Sequence, residues 1–218
     1  MRIHICIKSE NTVIPFDHQP LLTGTIHKWL GPNIEHGDIS LYSFSQLTDG
    51  KASPNGLFFK KNSSFFFSAY NTSLIKQLIS GIQKDPSMFN HLEVKEIVLQ
   101  EDPDFSNRDV FFPASPIFIK RKLEDRIEHI LYNDSRAGKF LKETLITKLT
   151  KAGLTVEEFE IVFNPDWTYT KTKKINYKGI NNKANWCPVV IKANSEIKKF
   201  AWNVGLGNST GIGFGAIK

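Results

Sequence analysis

Cysteine is scarce in this chain: Cys6 and Cys187 are the two among 218 residues. Thiols this far apart supply neither the paired spacing of a zinc ligand set nor a disulfide framework, so a reduced, cytoplasmic setting is expected. No HExxH or Asp-x-Asp-x-Asp-Gly pattern is present. No zinc or calcium site is therefore expected, and no cofactor. No apolar run approaches the ~20 residues of a membrane-crossing helix. The opening Met1-Arg2-Ile3-His4-Ile5-Cys6-Ile7-Lys8 alternates, unlike the continuous apolar stretch of a signal peptide. No membrane partner is expected.

Basic excess is missing from the first half. Residues 1–108 hold 10 Lys/Arg against 11 Asp/Glu, and residues 109–218 hold 18 against 11. The net charge of +6 therefore comes entirely from the second half. A phosphate-rich partner explains it through counterion release; solubility explains it equally well. Phenylalanine is what the chain has in abundance, at 17 residues, enough to fill compact sheet cores.

The patterns predict an α+β protein. Residues 2–8 alternate as a half-buried strand with Ile3, Ile5 and Ile7 on one face. Leu22, Ile26, Trp29 and Leu30 fall at helical spacing over 20–30, and Gly31-Pro32 stops that helix. Residues 41–45 read as a strand. Residues 56–60 and 64–68 read as a hairpin turning at 61–63. A helix is predicted over 73–84 and a strand over 92–100. This order is the ferredoxin-like βαββαβ pattern used by RNA-recognition domains and by many unrelated proteins. The polar break Glu101-Asp102-Pro103-Asp104 suggests a boundary, giving domains 1–104 and 105–218. The second domain repeats the outline: extended segments at 110–112 and 117–119, a helix over 135–152, and a strand over 158–163. Further extended segments follow at 175–177 and 189–192, then a short helix over 195–203 and a last strand over 213–217.

The most distinctive local feature is the glycine-rich end, with Gly205, Gly207, Gly211, Gly213 and Gly215 in eleven residues. A dinucleotide fingerprint is excluded, because Thr210 stands where its third glycine belongs and no helix has room to follow. A P-loop is excluded by the lack of Gly-Lys-Ser/Thr. Two readings remain: an anion-binding nest of backbone N–H groups, or a hairpin leading to an edge strand.

This glycine-rich end resembles the C-terminal signature of the RAMP superfamily. His18-Gln19-Pro20-Leu21-Leu22-Thr23-Gly24-Thr25-Ile26-His27, Leu41-Tyr42-Ser43-Phe44-Ser45 and Pro113-Ala114-Ser115-Pro116-Ile117 narrow the resemblance to the sixth Cas protein family. That family matures CRISPR RNA. The resemblance implies two tandem ferredoxin-like, RRM-like βαββαβ domains with a C-terminal glycine-rich loop. It implies metal-independent cleavage of precursor CRISPR RNA at each repeat, leaving a 5′-hydroxyl and a 2′,3′-cyclic phosphate. The expected partner is CRISPR repeat RNA, as precursor and as mature crRNA. Other Cas proteins of an interference complex, and a second copy of the chain, are left open as partners.

Cutting RNA without a metal needs a base for the 2′-hydroxyl, an acid for the 5′-oxygen and a donor for the charged phosphorane. Histidine suits the first two tasks, with an ordinary pKa of ~6.5. His36 matches the position of the family's catalytic histidine. His27 stands where some members carry tyrosine and others histidine; its alternative role is a helix-end imidazole favoured by the dipole. Many members carry a lysine where this chain has Ser40. The donor is then Ser40 itself, or Lys28 or Lys51 reaching in. His4, His18, His91 and His129 read as structural or surface residues, with His18 of interest because it sits just ahead of the first helix.

Residues 168–199 hold eight lysines and one acid, Glu196. Lys171, Lys173, Lys174, Lys178 and Lys183 interleave with Trp167, Tyr169, Tyr177 and Trp186, which suits phosphates and unpaired bases. A lysine-rich hairpin with its aromatics in the core is the alternative. Lys120-Arg121-Lys122 forms a second basic patch. Arg136 and Lys139 form a third, at a helix start where the dipole favours phosphate.

Overall fold

The computed structural model describes residues 1–32 and 39–218. In the first half the elements are β1 (Arg2–Lys8), β2 (Thr12–Ile14), α1 (Gln19–Leu30), β3 (Tyr42–Phe44), β4 (Lys51–Ser53), β5 (Gly56–Phe59), β6 (Ser63–Ala69), α2 (Thr72–Lys84) and β7 (Glu93–Gln100). The alternation of β1 sends Ile3, Ile5 and Ile7 to 0% exposure. Their face of the antiparallel sheet, ordered β3-β6-β1-β7, is covered by Leu22 and Ile26 of α1 and Leu74, Ile75 and Leu78 of α2. Pro20 sits in the first turn of α1, where its missing N–H costs nothing, and Gly31 ends the helix at φ 63°.

The expected hairpin between 56–60 and 64–68 does not form. β5 pairs with β2 and β4, whereas β6 pairs with β1 and β3. The register Ile3↔Phe67 and Ile5↔Phe65 explains why. It places both phenylalanines on the isoleucine face, and they reach the core only beside β1.

The second half contains β8 (Val110–Phe111), β9 (Lys120–Leu123), β10 (Arg126–His129), α3 (Ala137–Lys151), β11 (Glu160–Phe163), β12 (Lys171–Tyr177), β13 (Ile180–Trp186), β14 (Val189–Lys192) and α4 (Ser195–Val204). Its sheet is ordered β11-β14-β8. Beyond β8, Phe112 and Lys218 exchange both backbone hydrogen bonds, at 2.9 and 2.8 Å. The fourth strand is thus present but short, and each half has the same 2-3-1-4 order. The fold is two tandem ferredoxin-like domains. The last strand expected over 213–217 is corrected: backbone pairing with residues 112–116 begins at Gly215, and Thr210–Ile212 forms a 3₁₀ turn. Residues 117–119 are a buried extended segment leading into β9, bridged to Asn185 at Ile117. Among the described residues, no helix is long and apolar enough to cross a membrane.

Candidate active site

The seam between the two halves is where α1, β3 and the glycine-rich segment meet. His27 lies on the last turn of α1. Its Nε2 stands 3.3 Å from the Gly211 carbonyl oxygen and 3.2 Å from the Tyr42 hydroxyl. That hydroxyl also donates to the Gly211 carbonyl at 3.4 Å. Nε2 donates to the Gly211 carbonyl or accepts from the Tyr42 hydroxyl, according to the ring's tautomer. Tyr42 is 3% exposed, with its ring tilted against Phe67 at 5.2 Å. Its hydroxyl is therefore held where it fixes the imidazole. His36 lies outside the described residues.

The glycine-rich segment closes on protein, not on solvent. All five glycines are buried. A Cβ on Gly211 would stand 2.1 Å from Ser40 Oγ and 3.1 Å from the Tyr42 hydroxyl. A Cβ on Gly215 would stand 1.9 Å from the Leu206 carbonyl oxygen, and Gly215 adopts φ 71°. Leu206 N–H donates to Gly215, and Gly215 N–H donates to Pro116. A Cβ on Gly205 would stand 2.7 Å from the Gly215 carbonyl oxygen and one on Gly207 2.3 Å from that of Phe118, while one on Gly213 would meet Phe44 and Gln19. These glycines admit neighbouring backbone and side chains, and the N–H groups of Gly205, Gly213 and Gly215 donate to protein carbonyls. Gln19 Nε2 and Thr23 Oγ1 of α1 both donate to the Ile212 carbonyl, at 2.8 and 3.3 Å, tying this segment to the helix that carries His27.

Ser40 sits beside Gly211. Lys28 does not reach it: its ammonium bonds to Asp85 at 2.8 Å and to the Ser87 carbonyl at 2.6 Å. Lys51 belongs to β4, in the β2-β5-β4 sheet. The lysine brought to the cavity that Ser40 lines is Lys148 of α3, together with Lys120. Lys148 is 4% exposed, and its Nζ bonds to the carbonyls of Val204 and Gly205 and to Thr210 Oγ1 at 3.0–3.1 Å. Sequence reasoning missed both Lys148 and Tyr42. A signal existed for Lys148, since it falls on the apolar stripe of Leu141, Leu145 and Leu149. His18 is 8% exposed and bonds to the Pro15 and Phe16 carbonyls; burial lowers its pKa, which marks it as a structural imidazole.

A family model described as "CRISPR associated protein Cas6, C-terminal" matches residues 99–218, more than half of the chain. The chain belongs to the Cas6 family. Membership places it among the proteins that bind and process CRISPR repeat RNA. A solved structure titled "CRISPR associated protein Cas6" superposes with a TM-score of 0.84 at 20% identity, covering 100% of this chain and 98% of that one. One titled "An RAMP protein binding different RNA substrates" gives 0.86 at 20% identity, covering 100% and 98%. A Cas6-related protein from Pyrococcus furiosus gives 0.86 at 23% identity, covering 100% and 97%. At these identities the three show a shared fold. No curated relative matches the chain.

The basic residues of this Cas6 protein fall into distinct environments. Lys173 and Lys174 were read from sequence as one patch, but the pleat of β12 sends them to opposite faces. Lys173 lies 3.9 Å over the Trp186 ring and donates to Gln46 of the first domain at 3.3 Å. Burial, with Lys171 nearby, lowers its pKa to about 8. Lys174 is exposed and directly opposite Lys183 across β12–β13. Like charges placed so repel, and an anion between them would relieve the repulsion. Lys183 and Lys120 also face His129, whose pKa is lowered first by burial and then by these two lysines. Lys171 and Lys178 are exposed, Lys178 at the tip with φ 51°.

Of the aromatic residues, Tyr169 is 66% exposed, whereas Trp167 packs edge-on against Phe112. Arg121 is engaged internally, over the Phe140 ring at 4.5 Å and bonded to the Phe140 carbonyl and Glu143. Arg136 pairs with Asp134 at 2.7 Å and Glu128 at 3.1 Å, so this guanidinium is already matched by two carboxylates. Lys139 is exposed one turn further on.

Proposed function

We propose that the protein cuts precursor CRISPR RNA once per repeat by metal-independent general acid–base catalysis, leaving a 5′-hydroxyl and a 2′,3′-cyclic phosphate. The observation that carries this reading is the imidazole of His27, oriented by a carbonyl and a phenol at the seam between the two domains. An oriented imidazole can take a proton from the 2′-hydroxyl or return one to the 5′-oxygen. His36 is proposed as its counterpart on the family resemblance, so that one ring supplies the base and the other the acid. Ser40, beside Gly211, is proposed to donate a hydrogen bond to the charged phosphorane. Domain 1–104 is proposed to bring the histidines and domain 105–218 the basic grip on RNA. The test is single-turnover cleavage of a repeat RNA in excess EDTA, with the product ends analysed. Full activity and a cyclic phosphate are expected; loss of activity in EDTA overturns the metal-independent mechanism.

The two faces of β12 predict different outcomes for adjacent lysines. Lys174→Glu should weaken RNA binding and reduce the salt slope by about 1–2, as expected when phosphate contacts are lost. Lys173→Met should leave the slope near wild type, because its charge is turned toward Gln46 and Trp186. Folding lowers the Lys173 pKa from 10.5 to about 8. Between those values the unfolded chain holds the extra proton, so stability rises with pH across the window. Lys173→Met should flatten that rise in thermal melts. A salt slope that drops for Lys173→Met and not for Lys174→Glu would reverse the assignment of the faces.

A further inference from the structure

Ser40 also lines a cavity of about 520 Å³, walled by Lys120 and Arg121 of β9, Glu143 and Lys148 of α3, and Ser209 and Thr210 of the glycine-rich segment. Among the described lining residues, three cations face one carboxylate. Arg121 and Glu143 pair with each other at 3.3 Å. Lys148 braces the wall through the Val204 and Gly205 carbonyls. Lys120 keeps an exposed side chain at the cavity. Hydroxyls of Ser40, Ser209 and Thr210 add further polar groups, and none of the described lining residues is aromatic. Such a lining suits a phosphodiester and its ribose, and offers no ring for a base to stack on.

Gly211 stands between the cavity wall and the imidazole. Ser40 Oγ lies against Gly211, and the Gly211 carbonyl is 3.3 Å from His27 Nε2. An RNA strand with its cleaved linkage at His27 would pass its next nucleotide over Ser40. We propose that this cavity is a backbone subsite for the nucleotide adjoining the cleaved linkage, with Lys120 pairing that neighbouring phosphodiester. The proposal rests on the cleavage reading above, and it makes Lys120 a substrate-positioning residue that touches RNA one linkage away from the chemistry.

The experiment uses repeat RNA with a 2′-deoxyribose at the mapped cut, so that binding is measured on uncut strand. A single uncharged methylphosphonate replaces the linkage on either side of the cut in turn. With wild-type protein, one of the two replacements should weaken binding about tenfold, the loss of one charge-assisted contact. Lys120→Gln should weaken the unmodified RNA by a similar factor and be indifferent to that same replacement. Equal sensitivity of wild type and Lys120→Gln at both linkages overturns the subsite, as does a wild type indifferent to both. A separate arm with unblocked RNA tests the reading beneath it: cleavage that survives His27→Ala and His36→Ala together removes the mechanism, whatever the linkages show.

Discussion

Replacing His27 by alanine is expected to slow single-turnover cleavage of repeat RNA by about 10²–10⁴-fold, the range for loss of a proton-transfer group, while RNA affinity stays close to wild type. Two features of the site separate this outcome from simple damage. His27 is on the last turn of α1, whose core contacts come from Leu22, Ile26, Trp29 and Leu30, so deleting the ring leaves the helix packed. The ring's partners, the Gly211 carbonyl and the Tyr42 hydroxyl, still bond to each other at 3.4 Å without it. Gly211→Ala probes the same geometry from the other side. Its methyl would press on Ser40 Cβ at 2.9 Å and on the Tyr42 hydroxyl, and a displacement near 1 Å at a reacting group costs about 10²-fold. Full activity in His27→Ala would return His27 to the role of a helix-end imidazole.

The parts of this arrangement that could be read from sequence are those set by local period. Alternation in residues 2–8 and the helical stripes of α2 and α3 each depend on neighbours a few residues away. They place Ile3, Ile5, Leu74 and Leu141 in the core as expected. Strand pairing depends on partners far along the chain, so the short link between 59 and 63 looked like a hairpin although it carries the chain from one sheet to another. The site has the same character. His27 is legible as a histidine near a helix end, but its orientation comes from Gly211, 184 residues away in sequence. Tyr42 looked like one more strand aromatic until its hydroxyl met that carbonyl. The glycines were legible as tight backbone, but not what they are tight against. Lys148 was the legible oversight: a lysine on an apolar stripe must find oxygen partners, and it finds them at the end of α4.

Arg2→Met is expected to destabilise the fold by about 3 kcal/mol, or roughly 6–12 °C in thermal melts. Arg2 is 2% exposed, and its guanidinium lies between the rings of Phe66 at 3.7 Å and Trp202 at 3.4 Å. It donates to Ser68 Oγ at 2.7 Å and to the carbonyls of Trp202 and Ile217 at 2.9 and 2.8 Å. Burial, with Arg108 nearby, lowers its pKa, so folding pays a desolvation cost for this charge. Methionine would remove that cost and fill similar space, and for some buried ion pairs such a swap is neutral or stabilising. Here the balance differs, because two of the three acceptors are main-chain carbonyls that no side-chain change can remove. They would remain buried and unmatched. Arg2→Lys should recover little, since an ammonium offers no planar fork to stack between two rings. The consequence reaches the site: the Ile217 carbonyl lies two residues beyond Gly215, so Arg2 anchors to β1 the end of the segment that presents Gly211 to His27. Cleavage should therefore fall with stability in Arg2→Met. An unchanged melting temperature would show that the three hydrogen bonds of Arg2 add nothing net to the fold.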